Sequence, residues 1–150
     1  MFAAFLSLIL VAHAAVAAPA VIVPARFRPP VAAVIFDHFR PPSCLWCAGN
    51  RGIDYAVAVG TPVAAAGAGQ VEFSGPVGRD LFVVVAHPDG LRTTYAFLTE
   101  VSVSRGQVVT TGDIVGLSGP DLHFGVRRGA TYLDPEPFLA TRRMRARLVA

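Results

Sequence analysis

Leu81-Phe82-Val83-Val84-Val85-Ala86, then His87-Pro88-Asp89-Gly90, then Leu91-Arg92-Thr93-Thr94-Tyr95-Ala96-Phe97-Leu98, is the stretch that decides the fold. The first run is continuously apolar and rich in valine, whose stiff branched side chain suits the pleated surface of a strand. It is too short for a globular helix and has the texture of a strand buried on both faces. Pro88 lacks a backbone donor and Gly90 tolerates positive φ, so the four middle residues read as a turn. The third run returns, and the whole predicts a β-hairpin.

Working outward, Val71 and Phe73 alternate with polar neighbours, as in a half-buried strand, and Leu122 to Val126 predicts another. Asp134-Pro135 closes the domain. No stretch after residue 49 carries a helical period, so the fold class is all-β, an antiparallel β-sheet domain. Gly60-Thr61-Pro62-Val63 running to Gly69-Gln70-Val71 is echoed by Gly106-Gln107-Val108-Val109 running to Gly112-Asp113-Ile114-Val115-Gly116. Each copy reads as strand, glycine turn, strand, the pattern of a duplicated hybrid motif. Biotin and lipoyl carriers share that pattern but must present a lysine for attachment. This chain has none, which excludes them.

The rest of the 150 residues, of which 53% are hydrophobic, flanks one core-forming domain. Phe2 to Val11 is apolar but too short for a bilayer span, and Ala15-Val16-Ala17 follows the small-x-small pattern of a signal-peptidase site. Residues 1–17 are predicted as a signal peptide, which implies export to the cell wall or medium; an uncleaved membrane anchor is the alternative. No later segment is long and apolar enough to be a transmembrane helix. Residues 18–48 are rich in proline and arginine, and Phe27-Arg28-Pro29-Pro30 recurs as Phe39-Arg40-Pro41-Pro42. Prolines favour extended backbone, so this segment predicts a wrapping arm, or a ligand for a proline-recognising partner.

All 13 basic residues are arginine and the formal net charge is +3. Arg142, Arg143, Arg145 and Arg147 crowd a basic tail over 140–150, suited to anionic wall polymers or lipid headgroups, or simply to solvent. Aromatic residues do not interleave with these charges, which argues against nucleic acid. Cys44 and Cys47, in an exported chain, read as a small-loop disulfide. A redox motif would need a βαβ context, and zinc ligation a second Cys or His pair; neither is present.

Five motifs then occur in order: Gly49-Asn50-Arg51-Gly52-Ile53-Asp54, Gly60-Thr61-Pro62-Val63, Gly90-Leu91-Arg92-Thr93-Thr94-Tyr95, Asp121-Leu122-His123-Phe124 and Tyr132-Leu133-Asp134-Pro135. Together they resemble the lysostaphin-type (LytM-like) zinc endopeptidases, which cleave peptide cross-bridges in bacterial cell walls. The resemblance covers residues 49–139. In that family the first histidine and the aspartate of a His-x-x-x-Asp motif bind zinc with the second histidine of His-x-His. The matching positions are Asn50, Asp54 and His123. Catalysis is assisted by the first histidine of His-x-His and by one in a Tyr-x-His-Leu segment; their matches are Asp121 and Phe97.

The resemblance therefore implies a degenerate member. A catalytic zinc keeps three protein ligands and an open position for water, whose pKa must fall to about 7. Asp54 and His123 alone hold zinc weakly, and an asparagine amide oxygen is a poor substitute for imidazole. Phe97 neither donates to an oxyanion nor moves a proton, and losing one such donor costs about 10²–10³ in rate. The expectation is a monomeric, exported domain without a cofactor, binding peptidoglycan or regulating a wall hydrolase. An active zinc metalloendopeptidase, with Asp121, His38 or a cysteine thiolate as the missing ligand, is the alternative. A structural β domain docking a protein partner through arm and tail is the third reading. His87, before Pro88, reads as structural, and His13 falls within the signal segment.

Overall fold

The computed structural model describes residues 26–44 and 46–139. The signal peptide predicted over 1–17, His13 and the basic tail predicted over 140–150 lie outside the described residues.

Among the described residues there are nine strands, in chain order β1 (Val34–Asp37), β2 (Ile53–Ala56), β3 (Pro62–Ala64), β4 (Gly69–Val77), β5 (Asp80–Ala86), β6 (Leu91–Val101), β7 (Val108–Val109), β8 (Ile114–Arg128) and β9 (Thr131–Leu133). A 3-10 turn over Glu136–Phe138 follows. The sheet runs β1-β2-β8-β6-β5-β4-β7, with β3 and β9 also paired to β8, and every pairing is antiparallel. The all-β reading holds, and so does the hairpin of β5 and β6 across His87-Pro88-Asp89-Gly90.

The sequence echo becomes an exchange of partners. β3, from the first copy, pairs with the start of β8 in the second, while β7, from the second, pairs with the start of β4 in the first. Gly60 and Gly106 occupy matching turns at φ 81° and 87°, a region that glycine enters without a Cβ clash.

One face of the sheet is core. Ile53 and Tyr55 of β2, Val83 and Val85 of β5, Tyr95 of β6, and Leu122, Phe124 and Val126 of β8 are all buried there. A fully buried side chain of this size stabilises by about 1.5–3 kcal/mol. Because side chains alternate across a strand, the residues between these emerge on the opposite face. That corrects the expectation of a β5 buried on both sides: Val83 and Val85 are buried, whereas Phe82 and Val84 are only partly covered. Val71 and Phe73 also part company, because a bulge at Glu72 turns Phe73 outward to 37% exposure while Val71 stays buried.

The arm is more than a wrapping segment. It supplies the edge strand β1, and it buries Phe27 and Val31 in the core. Phe27 packs 4.8 Å from the His87 ring. His87 is structural, as read: its Nδ1 is 2.8 Å from the Ala68 carbonyl oxygen and its Nε2 is 2.9 Å from Thr93 Oγ1. Thr93 Oγ1 in turn donates to Tyr95 Oη, which also accepts the Ala66 N–H at 2.7 Å. Burial pushes the Tyr95 phenol up to about 12.

Candidate functional site

Alternation places the polar residues of β2 and β8 away from the core. Ile53 and Tyr55 point inward, so Asp54 faces out; Leu122 and Phe124 point inward, so His123 faces out beside it. The register pairs Asp54 directly with His123 across the two strands. His123 Nδ1 lies 2.7 Å from Asp54 Oδ1. A carboxylate only accepts, so Nδ1 carries the hydrogen, and Nε2 of the neutral ring is an acceptor. Among the described residues, nothing hydrogen-bonds to that Nε2.

The ring sits against Gly52. A Cβ at that position would lie 2.8 Å and 2.9 Å from His123 Cε1 and Nε2 and would run into the Phe124 carbonyl oxygen. Glycine is thus the residue that lets the imidazole lie flat beside the backbone. Gly49 is equally constrained: its Cβ would meet the Arg40 carbonyl oxygen at 2.6 Å. That close approach accompanies a two-way backbone bridge between Arg40 and Asn50, at 2.8 and 3.0 Å, which ties the arm to the site.

Asn50 is 6% exposed. Its Nδ2 donates to Asp54 Oδ2 at 2.9 Å, and its Oδ1 accepts the Gly52 N–H at 3.1 Å. These two bonds fix which end of the amide faces the carboxylate, since flipping it would set oxygen against oxygen and N–H against N–H. Asp54 is thereby held by an amide hydrogen on one oxygen and an imidazole hydrogen on the other. The Arg51 guanidinium lies 5.8 Å from the centre of the Tyr132 ring.

Phe97 completes one wall. It is the single non-glycine residue at positive φ (64°) among the described residues, on a bulge of β6 between Ala96 and Leu98. Holding a bulky side chain in the left-handed region costs about 1–2 kcal/mol. The reward is position: its ring centre is 5.9 Å from that of His123 and 6.4 Å from that of Phe82. A groove of about 410 Å³ opens over these residues, with Asp37, Asn50, Asp54, His123, Phe97 and Arg127 among its walls.

Other expected residues lie elsewhere. Asp121 stands two residues before His123 on β8, opposite Ala56, and alternation along the strand sets the two on the same face. His38 turns away to Glu136, with Nδ1 2.7 Å from Oε1. Cys44 and Cys47 are joined in a disulfide, which leaves no thiolate for a metal. Among the described residues, no group of three or more His, Cys, Asp or Glu side chains is placed to hold a metal ion. Sequence reading missed Asp37, which reaches the groove from β1, and Arg127, which lines its far end. The two-residue spacing of His123, Gly125 and Arg127 on a strand was the available signal for the latter.

Residues 48–135 match the model of peptidase family M23. The chain belongs to that family. The M23 match encloses Asn50, Asp54, Phe97, Asp121 and His123 but starts after β1, so Asp37 reaches the groove from outside the family unit. An uncharacterized protein of Mycobacterium tuberculosis is 36% identical over 121 residues, which is 72% of this chain and 47% of that protein. The chain thus spans about half the length of the curated relatives it matches first. The catalytic domain of lysostaphin from Staphylococcus simulans superposes with a TM-score of 0.61 at 26% identity, covering 71% of this chain and 91% of that one. A chain of the SpoIIQ–SpoIIIAH pore forming complex gives 0.66 at 25% identity, over 77% of this chain and 91% of that one.

Proposed function

We propose that this M23 domain is exported, works at the bacterial cell wall, and is catalytically degenerate: it binds peptidoglycan, or regulates a wall hydrolase, through its groove. The observation that carries this reading is the orientation of Asn50. Its oxygen is committed to the Gly52 N–H, so the end turned toward Asp54 carries hydrogens and not a lone pair. An N–H cannot ligate a cation. It supplies Asp54 with positive partial charge where a cation otherwise would.

The residues present do not fit a catalytic zinc. Asp54 and His123 Nδ1 are 2.7 Å apart and already satisfied by each other, and Asn50 offers no third donor. Phe97 lies beside His123 with no group able to donate to an oxyanion or carry a proton. Asp54, His123 and the Phe82 and Phe97 walls remain as a groove that combines apolar surface with polar and charged groups, which suits holding a wall stem peptide or a partner loop.

A second reading, an active zinc metalloendopeptidase cleaving wall cross-links at a non-standard site, draws on the contact between Asp54 and His123. Incubation of the folded chain with purified sacculi separates the two. Capture on sacculi, or a changed rate of an added wall hydrolase, with no release of wall peptides, supports the binding reading. Neither capture nor a changed rate would overturn it, and chelator-sensitive peptide release would establish the peptidase.

A further inference from the structure

The groove has a far end that the Asn50, Asp54 and His123 bonds do not use. β8 presents His123, Gly125 and Arg127 in succession on one face, and Arg127 lies about 13 Å from His123 at the strand rise. Arg127 lines this groove and also a second concavity of about 620 Å³, where Glu72 and Arg92 join it. The two hollows therefore meet at Arg127. Arg92 is its direct cross-strand neighbour on β6.

The charges at this end do not balance. Arg92 engages Glu72 with both arms of its fork, Nε to Oε2 at 2.5 Å and Nη2 to Oε1 at 2.9 Å. Glu72 is consequently held below the usual carboxylate range, first by the Arg92 hydrogen bond and then by the surrounding arginine charges. Arg127 is left with a 3.9 Å approach to Glu72 Oε2, beyond hydrogen-bond length. Its Nη1 is spent on the Gly129 carbonyl at 2.9 Å, which orients the guanidinium. Two arginines thus share one carboxylate, and the oriented one keeps donors for an anion.

We infer that Arg127 is the carboxylate-binding pole of the groove and that the ligand is an extended peptide with a free carboxylate. The carboxylate accepts from Arg127, and an N–H of the same peptide donates to His123 Nε2. An extended chain rises about 3.3 Å per residue, so four residues span the two poles. A planar guanidinium at the junction of the two hollows gives geometric selection for a planar carboxylate over a neutral amide. This assignment rests on the reading of the groove as a binding site and adds the chemistry it selects.

Acetyl-tetra-alanine with a free C-terminal carboxylate and the same peptide as its carboxamide are suitable probes, titrated against the full chain by NMR. The free acid is expected to bind about tenfold more tightly than the amide, the worth of one charge-assisted hydrogen bond. In Arg127→Gln that ratio falls to near one because the free acid loses about tenfold more affinity than the amide, while Arg127→Lys retains part of it. A ratio near one in the unaltered protein, or equal loss of both probes in a folded Arg127→Gln, overturns the assignment. If neither probe binds while sacculi still capture the protein, the carboxylate pole fails alone; if capture fails too, the binding reading falls with it.

Discussion

Asn50→Asp keeps the shape of the side chain and reverses its chemistry at one atom. The Nδ2 that donates to Asp54 at 2.9 Å becomes an oxygen facing an oxygen. The charge-assisted hydrogen bond lost there is worth about 1.5–3 kcal/mol. Two carboxylates about 3 Å apart then repel by several kcal/mol at an effective dielectric near 20, relieved in part when one takes up a proton. Asp54 is only 17% exposed, so solvent screens the pair poorly. The expected loss is about 3–5 kcal/mol, or roughly 10 °C in Tm at 2–4 °C per kcal/mol for a domain of this size. Asn50→Ala, which removes the donor without adding charge but orphans the Gly52 N–H, should cost about 2–3 kcal/mol. Divalent zinc should restore much of what Asn50→Asp loses, because the repulsion is the kind a cation relieves. Thermal and urea unfolding of both variants, with and without zinc, decide the matter. Losses below about 0.5 kcal/mol, or Asn50→Asp no worse than Asn50→Ala, would refute the argument that the Asn50 hydrogens stand in for a cation.

Other expectations follow from particular atoms. The Tyr55 hydroxyl is buried with no hydrogen-bond partner among the described residues, so Tyr55→Phe should stabilise the fold by about 1–2 kcal/mol in urea unfolding. Burial, with Glu136 adding to it, raises the Tyr55 phenol well above its ordinary value, and burial raises Tyr95 to about 12. An acid whose folded pKa is raised contributes stability that is complete below its unfolded value near 10 and lost as pH climbs through the folded one. Stability should therefore fall from about pH 10 upward by about 1.4 kcal/mol per pH unit for each phenol, and Tyr55→Phe should roughly halve the slope. The chain has no lysine to titrate in that interval and blur the result. Gly52→Ala should cost about 1–3 kcal/mol and displace the His123 ring, visible as a shifted His123 imidazole resonance.

Much of this was legible in the chain. Valine content and the Pro88–Gly90 turn predict the β5–β6 hairpin, and the family resemblance couples Asp54 with His123, which the folded register sets side by side on adjoining strands. What escaped depends on bulges and long-range pairing. The bulge at Glu72 turns Phe73 outward, and the bulge at Phe97 holds that ring at positive φ over His123. Neither irregularity leaves a mark in hydropathy. β1 escaped because four residues amid prolines read as extended arm until β2 offers them a partner. The burial of both faces expected of β5 failed because helices or a second sheet would have to cover its outer side, and here the groove opens there instead. The Asn50 amide is a case of its own: the substitution was plain in the sequence, but its direction is set by the Gly52 N–H, which only the folded turn reveals.

The central claim is that the amide of Asn50 occupies the role of a cation and that the groove binds without cleaving. Zinc content of the purified, folded protein, prepared with trace zinc and no chelator and followed by unfolding with and without EDTA, tests it most directly. The account predicts far less than one zinc per chain and an identical Tm in both conditions. One zinc per chain, with a Tm that falls when the metal is stripped, would contradict it.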